Sequence, residues 1–199
     1  MSRTVRADRA LRRVRPHVWV SGLGAALLGT AASSGAFAQT TWQGGVFDAV
    51  LAVGVSHVFG GPGGTLDAVR RHLAPGGRVL FGDAVWDTPP TDAALVALEA
   101  TADEFPDLAG LVRLAGEHGH EVVHGHVSTL EEWDEYEWSW TGSLADWALA
   151  PGRDPADRAE ALLAARSHRD AWLGGYRAVL GFATLVLVDG GGADGPGLS

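Results

Sequence analysis

The sequence predicts an open α/β domain built on a strand–helix–strand unit. Three observations point to it. Two short apolar runs, Ala49–Val53 and Arg78–Phe81, are partly β-branched or aromatic and alternate little, as strands buried on both faces do. Between them Leu66, Val69 and Leu73 recur at helical spacing over Thr65–Leu73. A helical crossover makes two such strands parallel and the connection right-handed. Pro75-Gly76-Gly77 then stops the helix and turns the chain, because proline cannot continue a helix and glycine accepts positive φ. Ligands of open α/β sheets bind beyond the carboxyl ends of the strands. Those ends carry Gly54–His57 and Asp83–Trp86.

The later elements are read in chain order. Trp86–Pro90 reads as a stiff loop. Thr91 or Asp92 caps a helix over Ala93–Ala102, and Phe105-Pro106 breaks it. Asp107 caps the next helix, with an apolar stripe of Leu108, Leu111, Val112 and Ala115 that ends at Gly119. Glu121–Val127 is a strand. Ser128-Thr129-Leu130-Glu131 has the capping-box pattern and opens a helix that holds Trp133, Tyr136, Trp138 and Trp140. Ala156–Leu180 is a long helical stretch, kinked at Gly174-Gly175, and Gly181 closes it. Phe182–Val188 is the last strand. The chain divides into a leader over 1–43, an α/β domain over 44–188 and a glycine-rich, disordered tail over 189–199.

Composition narrows the partners. The 199 residues contain no cysteine, which excludes disulfides, thiolate metal sites and cysteine nucleophiles. The net charge of −9 is unevenly spread. Residues 1–40 carry six arginines and one aspartate, +5, and the rest carries nine arginines and 23 acids, −14. An acidic domain is a poor nucleic-acid binder, since phosphate contacts need a basic surface. A small-molecule substrate is expected instead.

Residues 1–46 differ in character from the rest of the chain. Six arginines precede a Gly/Ala/Ser-rich apolar stretch over Val18–Ala38, and Ala36-Phe37-Ala38 fits a small-x-small cleavage site. The leader reads as an export signal, as a disordered segment or as the product of an incorrect gene start; glycine, serine and threonine dilute it too far for a membrane anchor. Its Gly22-Leu23-Gly24 comes after Val18-Trp19-Val20 as a strand would lead into a glycine loop, but no acidic residue stands in that strand.

Phe47-Asp48 entering an apolar strand, then Leu73-x-Pro75-Gly76-Gly77-Arg78 and a second strand, resembles the fourth and fifth strands of class I S-adenosylmethionine-dependent methyltransferases. The L-x-P-G-G turn is the most specific piece. The resemblance runs on through Trp133-Asp134-x-Tyr136-Glu137 to the strand at Phe182, over residues 44–188, and it matches the second half of that family's domain. It implies a Rossmann-like, mostly parallel sheet with an antiparallel last strand, truncated because the first half is not seen. Three strand–helix units need on the order of 90 residues, and 46 precede Phe47.

The implied activity is methyl transfer from S-adenosylmethionine to a small-molecule acceptor in the cytoplasm. A non-catalytic remnant or binding module, and an exported binding protein, stand as alternatives. In the resembling family the corner Val53, Gly54, Val55 and Ser56 lies along the methionine part of the cofactor. His57 is then a general base, since imidazole titrates near neutral pH. Asp83, Trp86, Trp133 and Tyr136 are the candidate substrate-binding residues, with Trp133 and Tyr136 in an aromatic lid. Core packing is the competing role for each tryptophan. Ser56 is no hydrolase nucleophile, because Val58 stands where G-x-S-x-G needs glycine. His118, His120, His124 and His126 would share one strand face if a single strand held all four, but His118 belongs to a helix end and Gly125 interrupts the strand, so no metal site is expected.

Overall fold

The computed structural model describes residues 45–191. The leader with Gly22 and Gly24, and the tail beyond Gly191, lie outside the described residues. Among the described residues four strands form one sheet: β1 (Phe47–Val53), β2 (Leu73–Trp86), β3 (His120–Val127) and β4 (Leu180–Asp189), in the order β1-β2-β4-β3. β1 and β2 are parallel, and β4 runs antiparallel between β2 and β3. Three strands therefore share one direction and the last opposes them, as the resemblance implied.

Among the described residues five α-helices flank the sheet: α1 (Pro62–Arg70), α2 (Asp92–Leu98), α3 (Leu108–Glu117), α4 (Leu130–Leu149) and α5 (Pro155–Ala171). On one face Leu66 and Val69 of α1 and Leu111 and Ala115 of α3 pack on Val79, Phe81, Val85, Leu185 and Leu187. On the other, Ala94, Trp133, Trp172 and Tyr176 pack on Ala84, Trp86 and Leu180. Odd and even positions of β2 thus divide between two cores, which is why this strand shows no polar alternation.

Several boundaries move from their expected places. The crossover helix spans Pro62–Arg70 rather than Thr65–Leu73. Leu73 to Gly77 is not a plain turn but the start of β2: Leu73 pairs with Phe47, and the next pair is Ala49 with Arg78. Three extra residues bulge from β2 here. Gly76 takes φ 79, and a Cβ on Gly77 would press to 2.9 Å from the Ala74 carbonyl and 3.0 Å from that of Phe47, so glycine is required for the ladder to resume.

Helix α2 stops at Leu98 rather than Ala102, because Glu99 turns left-handed at φ 51. The capping box belongs to Thr129 and Glu132, one residue later than expected. The long helix after Ala156 is two pieces. Helix α5 passes into a π-helical turn over Trp172–Tyr176, Ala178 is left-handed, and Leu180 already belongs to β4. Asp189, expected to open the tail, still pairs with His120.

Strand β1 pairs only with β2 among the described residues. Its other edge shows Val46 at 60%, Phe47 at 41% and Leu51 at 70% exposure. An apolar edge with unspent backbone groups templates pairing with other chains. Residues 1–199 are expected to self-associate on concentration, and Leu51→Glu to raise the monomeric fraction in size-exclusion chromatography. A wild-type chain that stays monodisperse and melts cooperatively would contradict this.

Candidate functional site

The corner after β1 is held by the backbone. Gly54 takes φ 65 and its N–H donates to the Gly82 carbonyl at 2.8 Å, tying the corner to β2. A short 3₁₀ turn, Ser56–Val58, comes next. Ser56 is buried, and its hydroxyl donates to Oδ2 of Asp83. Oδ1 of Asp83 accepts the Ala84 N–H at 2.9 Å. Burial pushes the Asp83 carboxyl above its ordinary value, against the opposing pull of the Ser56 hydroxyl, the Ala84 N–H and the His57 charge. His57 is exposed beside this pair.

The shift has a consequence for stability. A carboxyl whose pKa is raised by folding binds its proton more tightly in the folded state, so stability falls as pH rises from 3.8 through the raised value. Asp83→Asn is expected to flatten that part of the curve in urea titrations at about pH 3.5–7. Asp87, also raised by burial, contributes a slope of the same sign that remains. An unchanged curve in the variant would refute the assignment to Asp83.

Beyond the ends of β2 and β3 lies a cleft of about 140 Å³, lined by Asp87, Ser128, Thr129, Trp133, Ala178 and Gly181 among others. Trp133 is 8% exposed and stacks on Phe182 at 6.1 Å, with Tyr136 tilted against it at 5.8 Å. The Asp87 carboxylate lies over the backbone of Gly181, where a Cβ would collide with it. Glycine at the second position of β4 is what lets this acid stand there.

The predicted site residues are therefore only partly brought together. Ser56, His57 and Asp83 meet at the β1 corner, and Trp133 lines the cleft while Tyr136 packs against it without lining the cleft itself. Trp86 joins neither group: it is 7% exposed, gives its indole N–H to the Ala102 carbonyl at 2.9 Å and packs edge-on to Phe105. The histidines scatter. His118 pairs with Asp67, His120 is buried with Nε2 against the Leu66 carbonyl, and His126 pairs with Glu132. Among the described residues no three acidic or histidine side chains could hold a metal ion.

Two further groups do not stand out in the sequence. Asp87 sits in a segment that reads only as a stiff loop. Glu137 closes the Trp133-Asp134-x-Tyr136-Glu137 signature with no role of its own assigned from the sequence; it is 2% exposed and accepts from the Tyr176 hydroxyl at 2.8 Å. It also lies 2.6 Å from Nε2 of His168. Its position four residues after Trp133, on the same helix face, is the available signal. One turn away Arg177 donates two hydrogen bonds to Asp134, at 2.8 and 2.6 Å.

Solved structures share the fold of this chain. A methyltransferase from Geobacter sulfurreducens in complex with S-adenosyl-L-homocysteine superposes with a TM-score of 0.65 and 25% identity over 72% of this chain and 58% of its own. A second, from Thiobacillus denitrificans with the same ligand, gives 0.64 and 26% over 73% and 59%. The chain has a class I S-adenosylmethionine-dependent methyltransferase fold.

The X-ray structure of YjhP from E. coli matches this methyltransferase fold at a TM-score of 0.65 and 24% identity, over 73% and 60%. In sequence, 93 residues are 33% identical to the uncharacterised protein YjhP of Escherichia coli (strain K12), covering 45% of this chain and 37% of that protein. No family model matches. The chain thus spans well under two thirds of the length of these relatives. Among the described residues β1, β2, β3 and β4 form the sheet of this fold, and the Ser56–Asp83 corner lies at the carboxyl ends of β1 and β2, where open α/β sheets bind ligands.

Proposed function

We propose that this protein transfers a methyl group from S-adenosylmethionine to a small-molecule acceptor. The observation that carries the reading is the corner itself: a glycine with positive φ, tied to β2, presents Ser56 to Asp83 and leaves His57 open to solvent. The residues fit the methionine end of the cofactor. Gly54 brings backbone, with no side chain, to the strand end where such ligands bind, and Val53, Val55 and Ser56 flank it. The bound cofactor supplies an electrophilic methyl on a sulfonium sulfur.

The protein's own residues do the rest. His57 takes the proton from the accepting hydroxyl or amine. Asp83 acts through Ser56 as a positioning residue that holds the corner, and Trp133 with Tyr136 walls the acceptor. In this family the glycine loop and the acid that hold the rest of the cofactor precede the position of β1, outside the described residues. No helix among the described residues is long and apolar enough to cross a membrane, and we take the cytoplasm as the place of action.

Calorimetric titration of residues 1–199 with S-adenosylhomocysteine is the test. Saturable binding in the micromolar range is expected. Folded protein that gives no heat of binding would overturn the reading in favour of a binding module without methyl transfer.

A further inference from the structure

We infer that the cleft between the end of β2 and the start of α4 is a recognition subsite for a small ligand bearing an ammonium group. The inference deepens the proposed function in one respect only, by taking this ligand as the methyl acceptor through a hydroxyl elsewhere on it, since an ammonium nitrogen has no lone pair to attack the methyl; the hydroxyl proton goes to His57. Cation binding itself needs no cofactor.

Charge comes first. The carboxylate of Asp87 lines the cleft and has no hydrogen-bond or ion-pair partner among the described residues. Nothing cationic lines the cleft. The nearest cation in sequence, Arg177 beside the lining residue Ala178, spends its guanidinium on both oxygens of Asp134. The amino end of α4 carries positive partial charge, but the capping box answers it, with the Glu132 carboxylate on the Thr129 N–H at 2.8 Å. An anion entering here meets an uncompensated carboxylate, whereas an ammonium group finds a counter-ion.

Shape and lining agree with charge. Trp133 forms one wall and is held by stacking on Phe182, and its own indole N–H makes no hydrogen bond. Indole faces attract cations within about 6 Å of the ring. The Ser128 hydroxyl also has no partner among the described residues, so a hydroxyl or carbonyl on the ligand has a neighbour. A cavity of about 150 Å³ holds a benzene-sized molecule, and this one is about 140 Å³. The ligand is therefore a short amine or quaternary ammonium compound rather than a long chain. The acid is also built in: Gly181 leaves the space that the carboxylate of Asp87 occupies, and any side chain there would displace it.

The experiment is a titration of the full chain with tetramethylammonium chloride at constant ionic strength. It is monitored by the indole ¹H–¹⁵N resonance of Trp133, assigned with Trp133→Phe. A saturable shift is expected, with at least tenfold weaker binding in Asp87→Asn. Gly181→Ala, which keeps Asp87 but moves its carboxylate, should weaken binding similarly. Absence of a saturable Trp133 shift, or equal affinity in Asp87→Asn, would overturn the subsite, as would an equal response to sodium acetate. Wild-type protein that binds tetramethylammonium but not S-adenosylhomocysteine would sink methyl transfer and still establish the subsite.

Discussion

Replacing Glu137 by alanine lowers the free energy of unfolding by about 3–5 kcal/mol, the cost of breaking a buried polar pair by removing one member. Glu137 is 2% exposed and ties three segments together. It accepts from Tyr176 on the π-helical turn and from His168 on α5, while its own backbone carbonyl accepts the Thr141 hydroxyl at 2.8 Å. Removing the carboxylate leaves a buried phenol without its acceptor, and the imidazole of His168 can offer only the 3.2 Å contact in exchange.

Burial, then the charge of Glu137 and its hydrogen bond, push the Tyr176 hydroxyl far above its ordinary value, so it stays a donor at every pH the protein meets. Domains of this kind are stable by about 5–15 kcal/mol, so the loss is a large share of the total. Tyr176→Phe is expected to cost about 1–2 kcal/mol, because the Glu137–His168 contact survives. Urea unfolding monitored by tryptophan fluorescence measures both. Equal costs for the two variants would show that Glu137 is not the hub.

His57→Ala is expected to lower kcat for methyl transfer by about 10²–10⁴-fold, the usual contribution of a positioned general base. Affinity for S-adenosylhomocysteine and thermal stability should stay close to wild type, since His57 is exposed. Added imidazole should restore part of the rate. A loss of rate that added imidazole does not restore would make His57 a structural residue. An unchanged rate would remove it from the site.

Much of the framework is legible in the sequence because its signals are local. Thr91, Asp107 and Thr129 cap the helices they precede through bonds three residues away, and such bonds are written in short stretches of sequence. Gly119 ends its helix at φ 76 for the same reason. The corner Gly54–His57 is legible too, because strand–helix alternation alone places ligands at strand ends.

Other features are not. Trp86 and Trp133 look alike in the sequence, both aromatic and both near an acid. Only the register of β2 on β4 decides that Trp86 packs beside Leu180 while Trp133 reaches the cleft. Glu137 belongs to the same acidic run as Glu131, Glu132 and Glu135, and only the packing of α5 and the π-helical turn on α4 decides that it is buried while they are exposed.

By itself, the sequence determined an α/β domain with a parallel strand pair, the caps of its helices and its acidic, cysteine-free composition. Helix and strand periods and turn chemistry act over a few residues, so they survive without knowledge of the rest of the chain. Tertiary structure alone decided that Ser56 meets Asp83 across 27 positions, that Glu137 meets His168 and Tyr176 across 31 and 39, and that Gly181 makes room for Asp87. These contacts depend on strand register and on helices packed over the sheet, and a shift of one residue would carry each strand side chain to the opposite face.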